Sequence, residues 1–304
     1  MFWIEVDDKI HLHTPSGFNF SKNLHYLSRS TNECLFLIQD NKIRKAISLE
    51  NWTPLIEISE YEDNILQIEF LNHTYPPNKN TLEQIVAYVI EWFDLEVDLQ
   101  EFYKLASTDP ILSQATIQFE GLHIMGIPDL FEAMTWGILG QQINLAYAYT
   151  LKRRLVETYG RSIPYEGHNY WLFPTPCTIA NLTVQDLSGL KMTVKKCEYL
   201  IEVANLIHTE SLTKEMILEA KDVKTAEKIL TQIRGIGPWT ANYVLMRCLR
   251  FPSAFPIDDV GLHNAIKQVN GSQTKPTKSE IMQLAQPWAG WEAYATFYLW
   301  RLLY

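Results

Sequence analysis

The stretch that most restricts what this chain can fold into runs from Lys224 to Arg250, KTAEKILTQIRGIGPWTANYVLMRCLR. Ala226, Ile229, Leu230 and Ile233 recur at helical spacing and give one apolar face. Gly235-Ile236-Gly237 then makes a turn too tight for side chains at two positions. Pro238 stands where a new helix wants its first residue, because its fixed φ suits that place and its missing N–H is not needed there. The reading is helix, glycine hairpin, helix. The N–H groups around Gly235 and Gly237 lie at a helix N-terminus, which favours an anion such as a phosphate oxygen. An αα-hairpin of purely structural use explains Gly-x-Gly alone equally well; the full string Ile-Arg-Gly-Ile-Gly-Pro-Trp-Thr-Ala-Asn-Tyr is more specific.

A chain of 304 residues has room for two domains. The first eighty residues read as strands. Cys34–Gln39, Lys42–Leu49, Trp3–Val6 and Ile65–Phe70 are β-rich runs, Asp40-Asn41 is a tight turn, and antiparallel pairing under a helix is the simplest arrangement. From Thr81 the apolar period becomes helical, with Leu82, Ile85, Val86, Val89, Ile90 and Phe93 on one stripe. A dozen helical segments follow to the end, some opened by capping boxes such as Thr183-x-x-Asp186 and Thr277-x-x-Glu280. The expected fold class is α+β: a small mixed antiparallel-sheet domain over 1–110, then a larger all-helical one over 111–304.

Composition narrows the function classes. Apolar residues make up 47% and charged residues 20%, which excludes a disordered or fibrous chain. The four cysteines share no ligand-like spacing, and the eight histidines form no His-Glu-x-x-His pattern, so no zinc or iron–sulfur site is written here. No apolar run reaches membrane length, and the leading residues lack a basic segment followed by a long apolar run, which points to a cytoplasmic protein with reduced thiols. The net charge of −9 is uneven: residues 1–120 carry 8 basic against 19 acidic side chains, whereas 121–304 carry 18 against 16. A polyanionic partner is therefore compatible with the second part.

Leu230–Tyr243 resembles the helix-hairpin-helix motif of the DNA glycosylase superfamily. Ala254–Ile266 (AFPIDDVGLHNAI) resembles the segment that delivers that superfamily's catalytic aspartate, while Ile138–Ile143 (ILGQQI) and Phe173–Pro176 (FPTP) match further motifs of its alkylation-repair branch, the DNA-3-methyladenine glycosylase II type. The resemblance implies Asp259 as the catalytic residue, with Asp258 its neighbour. The alternative is that these acids only cap the helix beginning at Val260; one residue can do both. Members that also nick the backbone carry a lysine two residues after the second hairpin glycine, and this chain has Trp239 there. Water is then the acceptor. An N-alkylated purine is cationic and suits an aromatic pocket. Trp239 and Tyr243, one helical turn apart, are pocket candidates, and the resemblance adds Trp300. Trp288, Trp291 and Tyr294 read as core. Val260 departs from members that carry an aromatic directly after the aspartate.

The resemblance further implies that Gln142 fills the gap left by an extruded base, with Gln141 bonding loop backbone, and that Gly235, Gly237 and Arg234 hold phosphate. Lys195 and Lys196 read as a solvated basic turn. No cofactor is required; a structural Na⁺ or K⁺ on the backbone carbonyls of Thr231, Ile233 and Ile236 is the one metal expected. The partner would be double-stranded DNA carrying a damaged base, bound by a monomer on nucleoid DNA, with no membrane, and the acidic N-terminal domain serving as scaffold. Two other readings stay open here: an oxidised-guanine glycosylase/lyase, and a non-catalytic DNA-binding module.

Overall fold

The computed structural model describes residues 2–49, 52–72, 75–76 and 78–303. Six strands, β1 (Trp3–Val6), β2 (Lys9–His13), β3 (Leu37–Gln39), β4 (Lys42–Ala46), β5 (Leu55–Glu62) and β6 (Ile65–Leu71), form one antiparallel sheet in the order β1-β2-β6-β5-β4-β3. Asp40 and Asn41 take φ of 51° and 58°, the primed turn that suits a two-residue hairpin between β3 and β4. Buried Ile10, Leu12, Ile43, Ile56, Ile58, Leu66 and Ile68 supply the covered face. Helix α1 (Phe20–Leu27) lies between β2 and β3 in sequence, and α2 (Lys79–Phe93) follows β6. The apolar stripe of α2 is buried in the same core as the sheet.

Helices α3 (Gln100–Thr108), α4 (Ser113–Gln118), α5 (Leu130–Gly140) and α6 (Leu145–Tyr159) come next. A two-stranded ribbon, β7 (Arg161–Tyr165) and β8 (His168–Leu172), then interrupts the helices, and β8 packs on β4. The helical reading did not include this ribbon. After it come α7 (Pro176–Ala180), α8 (Val184–Leu187), α9 (Val194–His208), α10 (Lys214–Leu218), α11 (Val223–Thr231), α12 (Pro238–Arg247), α13 (Val260–Val269), α14 (Lys278–Leu284) and α15 (Glu292–Arg301). Both expected capping boxes are closed from both sides. No described helix is long and apolar enough to cross a membrane.

One apolar core runs through the sheet part and the helical part without a break. Polar ties cross it as well. Arg247 Nε donates to the Met125 carbonyl at 2.6 Å, and its Nη1 donates to the Tyr26 hydroxyl at 3.0 Å. Trp288 Nε1 donates to Asp109 Oδ2 at 2.8 Å. Trp288 and Tyr294 are fully buried, as core. This packing fixes α1 against α12, and so brings residues more than two hundred positions apart to one place.

Candidate active site

Asp259 is the N-cap of α13, where its Oδ1 accepts the Leu262 N–H at 2.8 Å. The same carboxylate accepts two indole N–H groups, Trp300 Nε1 on Oδ1 and Trp239 Nε1 on Oδ2, each at 2.8 Å. Three donors spread over two oxygens fix both the position and the rotation of the group. Capping and placement in a site are thus met by one side chain. Asp258 is instead taken up by an exposed ion pair, with Lys278 Nζ at 3.0 and 2.8 Å from its two oxygens. Two residues beyond Asp259, a Cβ on Gly261 would lie 2.8 Å from Asp259 Oδ1 and 3.2 Å from Cδ1 and Nε1 of Trp300. Only a residue without a side chain lets indole and carboxylate close over that turn.

Trp239 and Tyr243 stand one turn apart on α12 with ring centroids 5.7 Å apart and planes 28° from parallel; Tyr243 and Trp300 are 6.3 Å apart. All three rings line a cavity of about 1200 Å³, above the usual range for small-ligand pockets and able to take a nucleotide with adjoining backbone. Tyr243 is the most buried of the three rings, and its hydroxyl accepts Arg247 Nη1 at 2.9 Å. Burial holds that phenol well above its usual pKa. The cavity is walled by the hairpin, the loop after α5, the start of α13 and, unexpectedly, Tyr26 and Arg29. The N-terminal domain, expected to pack as scaffold, thus brings its α1 end into the cavity wall. No lysine occurs among the described residues that line the cavity.

The hairpin glycines have different reasons to be glycine. Gly235 has φ +87°, and a Cβ there would fall 2.3 Å from ring atoms of Tyr199. Gly237 has an ordinary φ of −89° and open space where its Cβ would be, so the protein's own packing does not demand it. It leaves the N-terminus of α12 uncovered towards the cavity. Gln141 Nε2 donates to the Gly235 carbonyl at 2.8 Å and to Thr240 Oγ1 at 3.1 Å, tying the loop after α5 to the hairpin. Gln142 is exposed on that loop with φ 56°, a left-handed backbone that an L residue adopts only when its surroundings impose it.

Arg234 is less available than its sequence position suggests, because Nη2 is paired with Glu198 Oε2 at 2.6 Å. Both lysines lie in the first turn of α9 rather than in a turn before it: Lys195 is exposed as expected, but Lys196 is buried and donates to the Leu139 carbonyl at 2.6 Å, capping the end of α5. Burial lowers the Lys196 pKa. Thr231 closes α11, and the Ile233 carbonyl accepts the Ile236 N–H at 3.0 Å, so all three expected carbonyl donors sit in or beside the hairpin. Sequence reading missed Gly261, Tyr26 and Arg29, since each acquires its place only from tertiary packing.

Residues 135–290 match the model of HhH-GPD superfamily base excision DNA repair proteins, and a DNA-3-methyladenine glycosylase of Bacillus subtilis (strain 168) is 50% identical over 304 residues, all of both chains. The chain belongs to this superfamily. Residues 14–134 match the 8-oxoguanine DNA glycosylase N-terminal domain, the family-level counterpart of the six-stranded sheet and its helices. DNA-3-methyladenine glycosylase 2 of Escherichia coli (strain K12) is 34% identical over 59% of this chain and 60% of its own. Among solved structures, the 3-methyladenine DNA-glycosylase from Archaeoglobus fulgidus superposes with a TM-score of 0.82 at 21% identity, covering 96% of this chain and 97% of that one. The Clostridium acetobutylicum 8-oxoguanine glycosylase/lyase in complex with DNA gives 0.76 at 20% identity, covering 99% and 97%. These two likenesses establish the fold.

Proposed function

We propose that the chain is a monofunctional DNA glycosylase that extrudes an alkylated purine of the 3-methyladenine type from double-stranded DNA and hydrolyses its N-glycosidic bond. The observation that carries this reading is the Asp259 carboxylate, held by Trp239 and Trp300 beside an aromatic cavity with no lysine among the described residues of its lining. As the base departs, positive charge grows on the deoxyribose, and a carboxylate fixed in place acts on charge present only in the transition state. The glycosidic electron pair leaves with the base, the oxygen of water bonds to the anomeric carbon, and the proton of that water passes to the carboxylate or to solvent. A cationic methylpurine leaves neutral and needs no strong general acid. The product is an abasic site in an uncut strand.

The names of the Bacillus and Escherichia relatives support the substrate class, and the DNA-bound neighbour supports duplex DNA as partner. Gln142 enters the stack as the base swings out, at a cost of about a few kcal/mol for the unstacking. Gly235 and Gly237 bring backbone amides to a phosphate, and Arg234 adds its charge once Glu198 releases it. Thr231 ends α11, where a last-turn carbonyl lacks an intrahelical donor; together with Ile236 and the second lone pair of the Ile233 carbonyl, which already accepts the Ile236 N–H, it would hold a monovalent cation supplying positive charge between hairpin and phosphate. The enzyme acts as a monomer on DNA of the cytoplasm.

Duplex DNA treated with a methylating agent tests the reading. Free 3-methyladenine should appear in the supernatant, with strands cut only after alkali. A borohydride-stable protein–DNA adduct would instead indicate an amine nucleophile and a lyase. The sheet part's match to an 8-oxoguanine glycosylase domain makes that measurement worth doing. DNA binding with no base released would indicate a binding module, although a carboxylate beside a polyanion has no binding rationale.

A further inference from the structure

Asn242 stands three residues after Trp239 on α12 and is buried. Its amide is fully engaged. Nδ2 donates to Glu227 Oε2 on α11 at 2.7 Å and to the Pro238 carbonyl at 3.0 Å, and Oδ1 accepts the Phe255 N–H at 2.9 Å. These partners allow one orientation of the amide: a carboxylate and a carbonyl need the donors, and a backbone N–H needs the acceptor. One side chain thus joins both helices of the hairpin to the segment that follows α12.

That segment ends at Asp259, four residues beyond Phe255, and little slack lies between them. Pro256 has a fixed φ, and its carbonyl accepts the Asp259 N–H at 2.9 Å. The Ile257 N–H donates to the Phe255 carbonyl at 2.7 Å, and the Ile257 carbonyl accepts an N–H from His263 Nε2 on α13 at 2.8 Å. A shift at Phe255 therefore passes to Asp259 rather than being absorbed on the way. The Asp259 carboxylate in turn bonds the indole of Trp239, on the same helix as Asn242. We infer that Asn242 is a positioning residue: by holding the Phe255 backbone to α12 it keeps the Asp259 carboxylate in register with the Trp239 indole and with the sugar of the extruded nucleotide. This rests on the glycosylase reading above. Asn242 is not among the described residues that line the cavity, so it acts on the rate through Asp259 and not through contact with DNA.

The test measures single-turnover release of 3-methyladenine from methylated duplex DNA, duplex affinity, and the proton–nitrogen resonance of the Trp239 indole N–H. Asn242→Ala removes both arms of the brace. Its release should slow by about ten- to hundredfold, the cost of a small misplacement at the reacting centre, with duplex affinity unchanged. Its Trp239 resonance should move towards that of Asp259→Ala, where the indole has no carboxylate to bond. Asn242→Asp keeps an acceptor for Phe255 but sets a second carboxylate against Glu227, and should be slow as well. Adding Glu227→Gln to Asn242→Asp reverses donor and acceptor between α11 and α12, and should bring release and resonance back close to the wild type. Wild-type release in a folded single variant, slow release with the Trp239 resonance unmoved, or no recovery in the reversed pair overturns the role of Asn242. If neither single variant folds, the reversed pair decides alone. A wild type that releases no 3-methyladenine overturns the glycosylase reading instead, and the resonance still judges whether Asn242 holds Asp259 to Trp239.

Discussion

Oδ1 of Asp259 is shared between a helix N-terminus and an indole, and Oδ2 is held by a second indole from another helix. The carboxylate cannot rotate without giving up a bond to α12 or α15. Positioning is therefore the work of the two tryptophans, in addition to any stacking they provide. Trp300→Phe keeps an aromatic face and removes one donor. Its turnover number should drop by about ten- to hundredfold, the value of one hydrogen bond to a charged group, while KM changes little. A variant that raises KM with turnover intact would mean that Trp300 serves binding alone. Both tryptophans were legible as ring residues from the motif. Their N–H contacts were not, because Trp300 reaches Asp259 across 41 positions and only through the bare surface of Gly261.

The helix-hairpin-helix element separates what folding needs from what a ligand needs. Gly235→Ala forces a Cβ onto a left-handed backbone and into the Tyr199 ring, and should cost about 2 kcal/mol or more in denaturant unfolding. Gly237→Ala meets nothing in the protein, so its stability should stay within about 0.5 kcal/mol while duplex affinity falls. Equal destabilisation of the two would contradict this division. On the neighbouring loop, Gln142→Ala should slow release from duplex DNA several-fold yet leave release from single-stranded DNA unaffected, since only the duplex leaves a gap to fill. Helices and caps in this half were readable from period and punctuation. Elements that hide their pattern were not. β5 sends Ile56 and Ile58 to the core face and Glu57 to the opposite one, where Glu57 is buried by pairing with Lys42 and Arg44 at 2.6 Å, so the strand is covered on both faces. The β7–β8 ribbon has Pro164 in its first strand, which reads against a strand at all.

At the level of the whole molecule, sheet and helices share one core, and the joint between them contains a titratable group. His123 is buried there, with its N–H bonded to Asn23 Oδ1 at 3.1 Å and its Nδ1 bonded to the Asp94 carbonyl at 2.8 Å. Burial pushes its pKa down to about 4 from 6.5. Between those two values the unfolded chain binds a proton that the folded chain excludes, so stability falls as pH drops from about 6.5 to about 4, by up to about 3 kcal/mol. His123→Asn can keep a donor to the same carbonyl without titrating, and its unfolding free energy should show a shallower slope across that window. Identical slopes would remove His123 as the cause. The same packing that buries His123 carries Tyr26 and Arg29 to the cavity, so the acidic N-terminal part is joined to the chemistry without lending its charge to it. The most direct measurement is single-turnover release of 3-methyladenine from methylated duplex DNA by the wild type and Asp259→Asn, read beside duplex binding. Expected is release that falls by about a hundred- to a thousandfold or more in the variant while binding is retained. Turnover by Asp259→Asn at the wild-type rate would contradict the placement of the reaction at this carboxylate.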